Sequence, residues 1–209
     1  MITKDKNKEQ AILEAAEKEF LEKGFDASKT TKICLLAGVT HAMLHYYYRT
    51  KENLFNMVFD KKINLLKESL HPLFYNHDLP LPERIEIGMK KHFDFIAANP
   101  KLPLFVMNEL IAKPKRRELV EKKFRTTALQ LIEQLQSEID REVERGTICP
   151  IKAITLILDI ASLNVFVFAA LPVLRPIFSS FYTNEEEFLE ARKNENVEII
   201  MRRLKIQNS

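Results

Sequence analysis

The chain has no tryptophan, two cysteines and four glycines among its 209 residues. Four glycines cannot easily supply the tight turns of an all-β fold, nor the loops of a Gly-rich phosphate-binding sheet, so the composition predicts an all-α protein. Cys34 and Cys149 stand far apart without metal-ligand spacing. That excludes a disulfide scaffold and predicts two inert thiols in a reducing, cytoplasmic setting. A strong excess of one charge is also missing: 32 Lys and Arg against 29 Asp and Glu leave +3. Any surface for nucleic acid must therefore be local. The first ten residues are polar and mixed in charge, so no signal peptide is expected. Residues 154–174 form the longest apolar run, interrupted by Asp159, Ser162, Asn164 and Pro172. A mid-membrane carboxylate is costly, so this run is expected to be a buried interface helix with no membrane partner.

What is present is helix punctuation. Ile12, Leu13, Ala16, Phe20 and Leu21 recur at spacings of three and four over residues 9–23, and Gly24 supplies a stop. Short helices are predicted at 29–36 and 40–47, on either side of Ala37-Gly38-Val39. Thr50 can cap a longer helix over 51–70, closed by Pro72. Further helices are predicted at 83–98, 104–112, 115–145, 151–171 and, capped by Asn184 with Glu187 at the capping-box position, to about residue 206. The predicted domains are 1–52, with a connecting helix at 51–71, and 72–209.

Residues 27–51 contain Lys29, Lys32, Arg49 and Lys51 and no Asp or Glu, although acids are frequent on both sides. Two short helices around a glycine-bearing turn make a helix-turn-helix, whose second helix enters the major groove of DNA. At 100° per residue, Leu44, Tyr47 and Tyr48 share one side of that second helix. With Ile33, Leu36 and Val39 they are expected to pack, leaving His41, Ala42, His45 and Tyr46 to meet DNA.

These residues resemble the TetR family of bacterial transcription regulators. The likeness runs through Glu22-Lys23-Gly24-Phe25, Ile33, Ala37-Gly38-Val39, Leu44 with Tyr46-Tyr47-Tyr48, and Arg49-Thr50-Lys51-Glu52-Asn53-Leu54. It covers the first quarter to third of the chain. The resemblance implies an N-terminal three-helix DNA-binding domain and a larger C-terminal helical domain for ligand binding and dimerisation. It assigns Thr40 as the recognition-helix cap near a phosphate, His41, Ala42 and Met43 to base edges, and Tyr46 to sugar-phosphate or a thymine methyl. Lys51 is assigned to a phosphate, with Thr31 or Lys32 on the backbone; Lys29 from the acid-free window and His45 from the outer face of the second helix complete the candidate DNA-binding set. Three departures stand out: His45 replaces a tyrosine, Thr30 occupies an apolar position, and Cys34 replaces a small alanine.

The resemblance further implies a homodimer formed through helices near 151–171 and 184–206, a palindromic double-stranded operator and a small-molecule effector. Phe93, Phe105, Phe124, Asn164 and Phe168 are candidates for lining its pocket. Aromatics at helical spacing are as readily core or dimer contact. His41 and His45, at i and i+4, lack the further ligands of a metal site, and Glu68-x-x-His71 is a single copy where a di-iron bundle needs two. No metal, no cofactor and no catalytic residue are expected. The rival readings are a helical-bundle enzyme or carrier, and a DNA-binding dimer without an effector.

Overall fold

The computed structural model describes residues 2–111 and 113–205; for residues 2–6, 72, 115, 119, 120, 123 and 124 only the backbone is described. The described residues form nine helices and no strand. They are α1 Ile2–Ala27, α2 Thr30–Ala37, α3 His41–Tyr48, α4 Lys51–Tyr75, α5 Leu81–Ala98, α6 Leu102–Ile111, α7 Pro114–Glu144, α8 Ala153–Phe178 and α9 Glu185–Leu204. The all-α reading is therefore met.

Two proline stops fail. α4 runs through Pro72 to Tyr75, and α8 runs through Pro172 and Pro176 to Phe178. An interior proline removes one hydrogen bond and crowds the preceding turn. In both helices the added turns bury apolar side chains, Leu73 and Phe74 in α4 and Phe178 in α8, which offsets that cost. The last helix ends at Leu204, and residue 206, where its end was expected, lies outside the described residues.

Two compact units divide the chain. The first comprises Met1–Leu65 and Leu104–Pro114, the second Leu66–Pro103 and Lys115–Ser209. Most of α6 thus belongs with the N-terminal unit, although the sequence places it in the C-terminal domain. Phe20, Phe25 and Phe55 form an aromatic cluster in the first unit, and Phe105 of α6 reaches Phe55 at 5.7 Å between ring centroids.

The second unit is built on a core of Leu73, Ile85, Met89, Leu135, Ile139, Leu156, Ile160 and Ile200. The stripe read on α7 is partly realised there: Leu135 and Ile139 are buried, while Ala128 is exposed. Gly88 lets α5 approach α4 closely, since a Cβ there would lie 3.0 Å from Leu73 Cβ. Buried Arg84 of α5 pairs with Glu138 of α7 and donates to His77 Nδ1 at 2.9 Å.

A polar knot joins α5, α8 and α9. Asn164 Nδ2 donates to Met89 O at 3.0 Å and lies 3.3 Å from His92 Nδ1, while Asn196 Nδ2 donates to Asn164 Oδ1 and to Leu163 O. Asn164 and Asn196 are fully enclosed, so each bond replaces water that neither amide can reach. Burial pushes the His92 imidazole down to about 4. The folded protein therefore keeps the ring neutral, whereas the unfolded chain takes up its proton below about pH 6.5. This contribution is complete above that pH and is lost progressively as pH falls toward 4, up to about 3 kcal/mol. Thermal melts at pH 7.5 and pH 5 should show a smaller acid-induced drop for His92→Gln than for the wild type.

Candidate nucleic-acid interface

The site begins at the corner between α1 and α2. Gly24 takes φ 72° and ψ 176°, a conformation that glycine alone adopts without strain. A side chain there would also stand 3.0 Å from Glu109 Oε1. That carboxylate is 2% exposed and accepts the Phe25 N–H at 2.8 Å. Lys113 pairs with Glu109 at 3.1 Å and with Asp26 at 2.9 Å. Beyond the corner, Ser28 donates to Phe25 O, and the Lys29 N–H reaches buried Glu19 Oε1 at 3.3 Å. The start of α2 is therefore fixed from α1.

The α2–α3 turn rests on Gly38, at φ 63° and ψ 36°, whose left-handed conformation closes α2. Thr40 then caps α3, its hydroxyl accepting the Met43 N–H at 3.3 Å. Buried Leu44 and Tyr48 anchor one side of α3, and the Tyr48 hydroxyl donates to Glu9 O at 2.9 Å. Burial, with Glu9 and Tyr47 adding smaller effects, pushes that phenol up to about 12, so it remains a donor at neutral pH. On the opposite side His41, Ala42, His45 and Tyr46 are exposed, and Met43 is half-buried. His41 Nε2 lies 3.0 Å from Thr30 Oγ1, which links the first residues of the two helices.

Arg49 ends α3 at φ 62° and ψ −52°. The Thr50 N–H bonds to Tyr48 O at 2.6 Å across it, making a γ-turn of the rare, strained hand. Thr50 caps α4 through the Asn53 N–H at 3.1 Å. Lys51 turns inward: its ammonium donates to Ser28 O at 2.6 Å and to Asp26 O at 3.5 Å, and sits 4.6 Å from the Phe25 ring centroid. In this conformation Lys51 braces the corner.

Lys29, Thr31, Lys32 and Thr40 are all exposed. The pattern missed Arg49 and Glu109, whose roles depend on backbone torsion and on a contact across 84 residues. Leu36, expected to pack, is 42% exposed, and Leu35 is 72% exposed; on an eight-residue helix held by Ile33 and Cys34, both turn away from the core. The proposed pocket residues are divided. Phe93 and Phe168 meet at 5.0 Å with Asn164 buried in the same unit, whereas Phe105 sits in the first unit against Phe55. The side chain of Phe124 lies outside the described residues.

Two substitutions probe this geometry by thermal denaturation. Arg49→Gly should stabilise by about 1 kcal/mol, because glycine accepts the positive φ without strain. Gly24→Ala should destabilise by at least about 1–2 kcal/mol from the left-handed torsion, with crowding against Glu109 added.

Comparison with known proteins agrees with this arrangement. Residues 12–58 match the profile of the bacterial regulatory proteins of the tetR family. The uncharacterized HTH-type transcriptional regulator YhgD of Bacillus subtilis (strain 168) is 24% identical over 149 residues, covering 69% of this chain and 73% of that protein. A fatty acid metabolism regulator protein of the same organism is 25% identical over 99 residues, covering 47% of this chain and 50% of its own length. Among solved structures, the hemolysin II transcriptional regulator HlyIIR has a TM-score of 0.65 at 22% identity, over 97% of this chain and 99% of that one. A regulatory protein of the tetR family from Rhodococcus RHA1 has a TM-score of 0.70 at 17% identity, over 96% and 98%. The helix-turn-helix built by α1–α3, and the tetR-family profile that matches residues 12–58 across it, make this chain a DNA-binding transcription regulator with a tetR-type DNA-binding domain.

Proposed function

We propose that two copies of this chain pair through α8 and α9, bind a palindromic operator as a repressor, and release it when a small apolar molecule occupies the second unit. The observation that carries the DNA-reading part is α3 itself. Its outer face is exposed, and the surrounding residues 27–51 include no carboxylate to repel phosphate. One short helix gives limited affinity, so two are needed in half-sites ~34–36 Å apart, or multiples of that.

Support for pairing comes from α8, which is apolar on two sides. Leu156, Ile160, Val167 and Phe168 are buried in the second unit, while Ile154, Leu158, Phe166, Val173 and Ile177 are exposed along the other side. α8 is also the one helix among the described residues long and apolar enough to cross a membrane. Its packing against α5 and α9 within the unit favours a protein–protein face. In the proposed organisation, 1–52 read DNA, 51–71 connect, and 72–209 bind the effector and dimerise, with Leu104–Pro114 serving the DNA-reading unit. Phe93, Phe168 and Asn164 are closely packed in the second unit, so an effector entering between them would bind only by parting that packing. Such a ligand shifts DNA affinity only through its different affinities for the two arrangements of the dimer. The chain is read as a binding protein and not as an enzyme.

Selection of genomic fragments with the purified protein tests the whole reading and should return a palindromic site. Binding to that site should weaken steeply with salt, and Lys32→Ala should reduce the log–log slope by about 2 per dimer; an unchanged slope removes Lys32 from the interface. Leu158→Glu with Phe166→Glu should convert a dimer to a monomer in sedimentation velocity. In thermal-shift measurements, an apolar effector such as a long-chain fatty acid should raise the melting temperature and dissociate the operator.

A further inference from the structure

We infer that Thr30 determines operator sequence by holding the imidazole of His41, so that the base preference of α3 is set partly from α2. The inference rests on α3 as the reading helix and adds a residue to which no base-reading role has been given. Thr30 Oγ1 and His41 Nε2 are 3.0 Å apart. Each is the first residue of its own helix. His41 is exposed, so without this bond its ring would sample several rotamers on the groove-facing side. With it, one ring nitrogen is committed to the protein, and Nδ1 has no hydrogen-bond partner among the described residues.

The chemistry of the free nitrogen follows from that of the bound one. In the inferred arrangement the Thr30 hydroxyl is the donor to Nε2, the two atoms lying 3.0 Å apart. A neutral imidazole accepting at Nε2 carries its proton on Nδ1. The exposed edge of His41 is then a hydrogen-bond donor. In the major groove a donor is answered by guanine, which presents N7 and O6 side by side, and opposed by the N4 amino group of cytosine. A valine at position 30 keeps the shape of threonine but removes the hydroxyl. The ring would be freed to rotate and to exchange tautomers, and the preference for guanine would fade. Thr30 itself need touch no base, which makes it a positioning residue.

The test is selection from a random-sequence duplex pool, followed by titration of the selected site and its single-base variants. Wild type, Thr30→Val, Thr30→Ser, His41→Ala and the double variant Thr30→Val/His41→Ala are compared as full-length protein. Wild type should prefer guanine at one position in each half-site by at least tenfold. Thr30→Val should reduce that ratio at least fivefold while preferences elsewhere hold, and Thr30→Ser should restore it. His41→Ala should abolish it, and adding Thr30→Val to that variant should change nothing further. Replacing the preferred guanine by 7-deazaguanine should weaken wild type and leave His41→Ala unaffected. A uniform loss on all duplexes with Thr30→Val would make the bond merely structural and overturn the inference. Unchanged preference in Thr30→Val would overturn it while leaving α3 as the reading helix. Failure of the wild type to select any common sequence would overturn both.

Discussion

The recognition surface depends on one buried carboxylate. Glu109 is enclosed, and a charge in that position is tolerable only if donors surround it. The Phe25 N–H and the Lys113 ammonium are among those donors, and Gly24 leaves room for the oxygen to approach the chain. The backbone at Phe25 is thereby fixed, and Ser28, Lys51 and the aromatic cluster build outward from it. This bond explains why most of α6 is counted with the helix-turn-helix despite the distance in sequence. A displacement of α6 would act directly on the turn that orients α2.

Rigidity in the first unit contrasts with an accepted cost at the end of α3. Arg49 holds a backbone conformation that glycine would occupy more cheaply. The turn it makes is only three residues long, and it lets α4 start immediately after α3 with Thr50 already in the capping position.

The second unit uses a different device for uniqueness. Its core is apolar, and apolar cores alone tolerate sliding between helices. Asn164 and Asn196 remove that freedom, because a shift of one turn would leave buried amides without partners. Even in the observed register Asn196 Oδ1 has no partner among the described residues. The arrangement places specificity above maximum stability. α8 carries this polar key on its buried side and an apolar strip on the other.

Much of this protein is local and therefore legible in the chain alone. Scarce glycine and three-to-four spacing determined the helices; Gly38 between two short apolar segments, with acids excluded around it, determined the helix-turn-helix and the exposed set His41, Ala42, His45 and Tyr46. Those features depend on neighbours within a few residues. Pro72 and Pro172 misled because a proline penalty is local while the burial that overrides it comes from other helices. The Phe105–Phe55 contact, the inward turn of Lys51, the Glu109 bond and the Thr30–His41 link belong to tertiary structure alone. Each joins segments that no periodicity relates, and only the folded backbone brings their donors, acceptors and rings within reach.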